Sequence, residues 1–398
     1  ACRLASEHFI ICCASVSDKM SSRIAEALVS KTKHLKNVAI VGAGAAGLIM
    51  QWHLKQHNIR AVVYERHSHV SGIWKLTPDS PVYDNLVTNL PRQVMGYSEG
   101  FPFSSTLPSF ITHAHVDAYL NDFALKNDLI RGIRFNCTVT GVTKCISVDG
   151  QSNWKVTCHD QAADCSFSEE FSAVVVCNGH FNCPVWPVIN GLDQFTGEVL
   201  HSSAYKSPNE ERFQGKRVLI VGAKSSATDI ARELSAVAAA VHICDRNLLP
   251  SERYDPSVLG AGANRNLYYH PGINEVSSGR NEVSLGYCPP VELSVDVVVL
   301  CTGYEYEFRF LVQRHPGSAS ASADSTSNSA STSPSCGMQT GLITVQNRSV
   351  RSLYQHMYLN SDPTLAFVGL NHTVIPFALF YLQAAHIAAV YGGWDLQR

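Results

Sequence analysis

Two turns in this chain of 398 residues are spelled to hold phosphate, and their first glycines stand 180 positions apart. The first reads Gly42-Ala43-Gly44-Ala45-Ala46-Gly47. One glycine permits the tight turn, the second lets a pyrophosphate approach the backbone, and the third lets a helix lie close to a strand. The helix that follows would aim its free N–H groups and the positive end of its dipole at the anion. Glu65, 23 residues after Gly42, stands where a carboxylate can bind ribose hydroxyls. The second turn reads Gly222-Ala223-Lys224-Ser225-Ser226-Ala227, with Asp229 just inside the next helix. Lys224 occupies the place of the second glycine, so its ammonium either contacts a phosphate or points to solvent. Arg246 follows the next strand, where a guanidinium can pair with a 2′-phosphate and favours NADPH over NADH, with Asp245 beside it as a counter-signal.

The elements that must position these turns are legible from periodicity. Val38 to Val41 reads as a strand, Ala45 to His57 as a helix and Ala61 to Tyr64 as a second strand. The pattern recurs as a strand over Arg217 to Val221, a helix to about Ala238 and a strand over Val241 to Cys244. Ser172 to Val176 and Val295 to Leu300 read as buried strands. The alternation predicts an α/β fold with two dinucleotide-binding, Rossmann-like domains. Two such units imply two nucleotides that meet, with NADPH delivering hydride to an FAD held by the other domain.

Composition narrows the partners. A net charge of -2 with 16% charged residues sets up no field for nucleic acid or acidic lipid, which points to a small-molecule substrate. The 13 cysteines show no CxxC pairing and several lie in apolar runs, as expected of a reducing, cytoplasmic compartment. The apolar stretch from Val374 to Gly392 is interrupted by Pro376, Gln383 and His386, which argues against a bilayer-spanning anchor. Residues 1–36 read as an N-terminal extension. Residues 37–187 and 306–398 read as two parts of an FAD-binding domain, with an NADP-binding domain, 188–305, inserted between them. Residues 316–335 are mainly Ser, Ala and Thr and read as a flexible surface loop. Oligomeric state stays open, a homodimer included.

Phe195-Thr196-Gly197-Glu198-Val199-Leu200-His201-Ser202-Ser203-Ala204-Tyr205 matches the pattern F-x-G-x-x-x-H-x-x-x-Y. With Glu65-Arg66, Gly72-Ile73-Trp74, Thr88-Asn89-Leu90-Pro91-Arg92 and Cys301-Thr302-Gly303-Tyr304, it resembles the flavin-containing monooxygenases over about residues 38–390. The resemblance implies that Arg66, Ile73, Trp74, Thr88, Asn89 and Gln383 contact FAD. It also implies that the Asn89 amide supports the reacting oxygen. In that family NADPH reduces FAD, dioxygen adds at the flavin C4a carbon to give a hydroperoxide, and retained NADP+ shields it until a soft nucleophile, a small amine or sulfide, attacks. Phe195, Gly197, His201 and Tyr205 form the fingerprint. His201 reads either as a histidine tying two domains together or as a working residue, and no proton transfer is assigned to it. Tyr205, where Baeyer–Villiger relatives usually carry tryptophan, leans toward nitrogen or sulfur as the acceptor. Two alternatives stay open: Baeyer–Villiger insertion, and a regulatory module that binds both nucleotides without turnover. A disulfide reductase would need a redox pair beside the flavin, and the only adjacent cysteines, Cys12 and Cys13, precede the first strand.

Overall fold

β1 (Asn37–Val41) is apolar at every position from Val38 onward, which suits a strand covered on both faces. It pairs in parallel with β2 (Arg60–Tyr64) on one side, and on the other with a strand more than a hundred residues later, so that Ile40 lies between Val63 and Val175. The structure, a computed structural model, describes residue 32 and residues 35–147, 150–248, 266–277, 280–287, 289–311, 341–346 and 348–393. Almost all of the extension 1–36, the Cys12-Cys13 pair and the whole of 316–335 lie outside them.

From β2 the chain passes helix α2 (His113–Lys126), β3 (Ile133–Arg134) and an antiparallel meander, β4 (Cys137–Ile146), β5 (Ser152–Asp160) and β6 (Cys165–Phe171), before reaching β7 (Ala173–Val176). Helix α1 (Ala45–Gln56) fills the connection between β1 and β2. The next segment, β8 (Cys183–Pro184), leads out of this unit into β9 (Glu198–His201), β10 (Arg217–Val221), helix α3 (Ser225–Leu234), β11 (Ala240–Cys244) and β12 (Leu267–His270). A second meander, β13 (Ile273–Val276), β14 (Glu282–Leu285) and β15 (Val291–Ser294), precedes β16 (Val297–Leu300). The chain returns through β17 (Tyr304–Glu305), the hairpin β18 (Thr344–Gln346) and β19 (Ser349–Arg351), then β20 (Leu353–Tyr354), β21 (Tyr358–Leu359), β22 (Leu365–Phe367) and the closing helix α4 (Pro376–Tyr391).

Two parallel-centred sheets result. One has the order β20-β21-β22-β7-β1-β2-β3 and the other β12-β11-β10-β16-β9. In the first, β22 pairs with β7, Ala366 opposite Val175, although all strands of the second sheet intervene in sequence. The second unit is therefore an insertion into the first, and the two crossing segments pair with each other as the antiparallel β8 and β17. Both sheets are sandwiched. In the first, α1, α2 and α4 pack on one face around Leu48, Ile49 and Ile387, and the β4–β6 meander covers the other around Trp154. In the second, α3 lies on one face and the β13–β15 meander on the other. α3 ends at Leu234, four residues short of the periodicity-based limit, because the chain must turn before β11: Ala238 N donates to Leu234 O at 2.8 Å and Ala239 N to Lys216 O at 2.9 Å.

Candidate functional site: two nucleotide cradles and a shared crossing

The first glycine turn has the geometry its spelling demands. Gly42 sits at φ +101°, and a Cβ there would come 2.7 Å from Cys177 O. At Gly47 a Cβ would fall 1.9 Å from Gly42 O, so this glycine is what lets α1 close on the turn. Gly44 is different. It adopts extended backbone (φ -73°, ψ -171°) as the N-cap of α1, and a Cβ there would meet nothing nearer than Gly72 Cα at 3.6 Å. Packing within the protein does not require glycine at position 44. Its bare backbone faces a cavity, which is what a closely approaching pyrophosphate needs.

That cavity measures about 1580 Å³, beyond the roughly 300–1,000 Å³ usual for drug-sized ligands and suited to a dinucleotide. Gly42, Gly44, Ala45, Ala46, Glu65, Arg66, Ile73, Trp74 and Asn89 all line it. Glu65 is buried; its Oε2 accepts from Ala43 N at 2.7 Å and its Oε1 from His67 N at 3.0 Å. Burial alone would raise its pKa, but hydrogen bonds from the His67 side chain and from the Ala43 and His67 amides outweigh it and hold the carboxyl below its ordinary range. The group thus stays anionic while also bracing the glycine turn. Asn89 is exposed to the cavity, and its side chain makes no hydrogen bond within the described residues.

Three of the residues expected to contact FAD do not line the cavity. Gly47 faces back into the turn. Thr88 is buried, its hydroxyl donating to Leu90 O at 2.9 Å and accepting from Ile111 N at 3.1 Å, so it shapes the loop that carries Asn89. Gln383, buried in α4, accepts from Gly369 N and donates to Asn371 Oδ1, both at 3.0 Å. It stands one layer behind the wall and fixes the loop that lines it.

The second turn repeats the first in backbone. Gly222 has φ +111° and a Cβ there would meet Cys301 O at 2.6 Å, while Lys224, the N-cap of α3, has φ -86° and ψ -176°, close to Gly44. Nothing in that conformation calls for glycine, which is why lysine is accommodated. Lys224, Ser225 and Ser226 are exposed and Ala227 is buried against the sheet. Asp229 is turned away from the glycine turn: it pairs with Arg232 at 3.3 Å and accepts from Tyr83 OH at 3.5 Å, a contact between the two units. Arg246 is exposed and forms no ion pair among the described residues. Its neighbour Asp245 is occupied, accepting from both Asn247 N and Asn247 Nδ2 at 2.9 Å.

The fingerprint residues build the junction between the units. A Cβ on Gly197 would lie 2.4 Å from Asp296 O and 2.6 Å from Phe195 Cε1, so glycine permits that packing. Tyr205 is fully buried and donates to Glu233 Oε2 at 2.7 Å, anchoring α3. His201 Nδ1 accepts from Ser203 N at 3.1 Å, which places the ring hydrogen on Nε2, and Nε2 donates to Gly303 O at 3.1 Å. Burial lowers its pKa against the opposing effect of the Gly303 bond, so the ring is neutral. Gly303 O also accepts from Val185 N at 2.9 Å, so His201 ties the fingerprint to both crossing segments.

Sequence reasoning passed over Asn178, His180 and Asn182 after β7, and Asn371 and His372 after β22, all of which line the cavity. His180 Nδ1 donates to Gly369 O at 3.1 Å, and its ring meets that of His372 edge-on at 4.6 Å. Burial, then His372, pushes its pKa down to about 4. The available signal was position, because ligands of parallel sheets gather beyond the carboxyl ends of the strands. Among the described residues no group of three His, Cys, Asp or Glu could hold a metal ion, and no helix is long and apolar enough to cross a membrane.

Two glycine turns of the dinucleotide-binding kind, in units that share a crossing, fit a two-dinucleotide oxidoreductase. Comparison with known proteins narrows the class. A family model described as flavin-binding monooxygenase-like matches residues 35–248. The flavin-containing monooxygenase FMO GS-OX5 of Arabidopsis thaliana is 33% identical over 383 residues, covering 90% of this chain and 74% of the relative. The structure of S-allyl-L-cysteine S-oxygenase from Allium sativum superposes with a TM-score of 0.74 at 30% identity, over 89% of this chain and 76% of its own. An open structure of cyclohexanone monooxygenase, at 16% identity, 91% and 88% coverage and a TM-score of 0.61, shares the fold. The chain belongs to the flavin-containing monooxygenase family. It is an oxidoreductase of the monooxygenase type whose cofactors are FAD and NADPH.

Proposed function

We propose that this monooxygenase transfers one atom of dioxygen to the sulfur of a small, uncharged thioether, in preference to the nitrogen of an amine. The observation that carries this reading is the state of the carboxylates in the cavity. Three line it, and each is engaged: Glu65 with the Ala43 and His67 amides, Asp79 with Thr77 and His67, and Glu307 with Arg309. Each charge is thus already compensated by a cation or by amide donors and none stands unpaired to select an ammonium, whereas Leu90, Val374, Ile375 and Phe380 offer apolar surface. The similarity to an S-oxygenase supports the same choice. NADPH-dependent turnover of a matched thioether and tertiary amine tests it; faster turnover of the amine would overturn it.

FAD, when bound, accepts hydride from NADPH and activates dioxygen. The chain's own residues hold, orient and shield. The turn at Gly42–Gly47 receives the FAD pyrophosphate, Glu65 the ribose, and Asn89 donates its unengaged amide to the reacting oxygen. The apolar rim excludes water. Residues 37–187 and 306–398 serve FAD, and 188–305 serve NADPH.

At the NADPH unit Arg246 is assigned to the 2′-phosphate and Lys224 to the pyrophosphate. Arg246→Ala is expected to raise the KM for NADPH about tenfold or more while leaving NADH untouched, the scale of one charge-assisted contact. Equal effects on both nucleotides would remove that assignment. Lys224→Ala is expected to raise the NADPH KM about three- to tenfold and to flatten its salt dependence, because one screened cation is lost. An unchanged KM would leave Lys224 a solvated side chain.

A further inference from the structure

At the edge of the FAD cavity one imidazole stands between two carboxylates. His67 Nδ1 lies 3.4 Å from Glu65 Oε1, and Nε2 lies 3.0 Å from Asp79 Oδ2. Glu65 is the buried carboxylate that braces the glycine turn, and Asp79 belongs to a strap, residues 77–81, of which Thr77, Asp79, Ser80 and Pro81 line the same cavity. The strap is held internally, Thr77 Oγ1 donating to Asp79 Oδ1 at 2.7 Å and Thr77 N to Ser80 Oγ at 3.2 Å. It is also held from the inserted unit: Lys206 Nζ donates to Ser80 O, to Val82 O at 3.3 Å and to Ser203 O at 3.2 Å. Among the described residues, the remaining polar contact that holds the strap over the cavity is the His67 bridge.

We propose that His67 is a positioning residue for FAD, which in its imidazolium form latches the 77–81 strap to Glu65 across the cavity edge and so slows release of the flavin. The inference rests on the assignment of this cavity to FAD. Its warrant is the count of hydrogens: a carboxylate accepts only, so bridging two of them through both ring nitrogens takes two N–H groups, and a neutral imidazole has one. On deprotonation one carboxylate faces a lone pair. At Asp79, the more exposed of the two, the 3.0 Å contact then loses its charge assistance and weakens from an ion pair to at most a neutral hydrogen bond.

The other groups facing His67 are few. Arg66 is its chain neighbour and opposes protonation, and His69 stacks on the ring at 5.1 Å. The Glu65 hydrogen bond first, then Asp79 against the cost of burial, raises the pKa of His67 above its ordinary 6.5. A raised histidine contributes its stabilisation fully below the unfolded value and loses it as pH climbs through the folded one. The latch is therefore shut in mildly acidic solution and opens on the alkaline side.

The experiment follows FAD fluorescence recovered on dilution of the holoenzyme, between about pH 6 and pH 9. In the unsubstituted protein the release rate is expected to rise on the order of fivefold with pH, the scale a partly exposed ion pair can supply. His67→Gln, which can donate but carries no charge at any pH, is expected to release flavin fast with no pH dependence, and His67→Lys, charged throughout, slowly over the same range. A flat profile in the unsubstituted protein overturns the proposal without any variant being needed, as does a His67→Gln profile that still follows pH. Protein that carries no flavin at any pH would overturn the FAD assignment together with the latch.

Discussion

Gly44→Ala is expected to fold normally and to emerge from purification largely without flavin. The new Cβ would meet only Gly72 Cα at 3.6 Å, an ordinary contact, so the protein itself has room for it. A pyrophosphate seated on the turn would not, because overpacking costs about 1–3 kcal/mol even where neighbours can yield, and a phosphate held by backbone amides cannot. The loss in FAD affinity is expected to reach about a hundredfold, or about 3 kcal/mol. The control is Gly47→Ala, whose Cβ would lie 1.9 Å from Gly42 O. That variant is expected to lose stability whether or not flavin is present. The ratio of flavin to protein and the melting temperature of the apoprotein, measured on both, separate a ligand-facing glycine from a packing glycine. A flavin-replete Gly44→Ala would show that the nucleotide takes another path through the cavity.

Asn89→Ala is expected to keep its FAD and to keep consuming NADPH while releasing hydrogen peroxide in place of oxygenated product. Asn89 lines the cavity on a loop braced by Thr88, and its amide has no hydrogen-bond partner among the described residues. A donor held in place at no cost to the fold is available for the reacting oxygen, and removing one preorganised donor of this kind costs about a hundredfold or more in the step it supports. Peroxide yield per NADPH, against product yield, reads the effect directly. Unchanged coupling would place the supporting donor elsewhere. Thr88→Val, by contrast, is expected to act through the loop, lowering thermal stability and coupling together, since it removes one buried and one partly buried hydrogen bond and not the donor itself.

The chain's sequence by itself determined what depends on neighbours along the chain. β-branched runs at Val38–Val41 and Arg217–Val221 specify strands, and the glycines after them specify positive φ at Gly42 and Gly222. Spacing then places Glu65 and Arg246 at the ends of the next strands. Such features rest on backbone sterics and on an apolar period, both readable within some twenty residues. What the tertiary structure decided is where side chains point once distant segments meet. Gln383 and Thr88 carry the residue types of a site yet stand behind it, because Gly369, Asn371 and Ile111 claim their hydrogen bonds. Asp229, inside the second nucleotide motif, turns to Tyr83 of the other unit. His180 and His372 arrive from segments nearly two hundred residues apart, and the bridge from Glu65 through His67 to Asp79 joins a strand end to a loop with no period to announce it. A buried polar group takes whichever partner the completed fold sets within reach, and no local pattern records that choice.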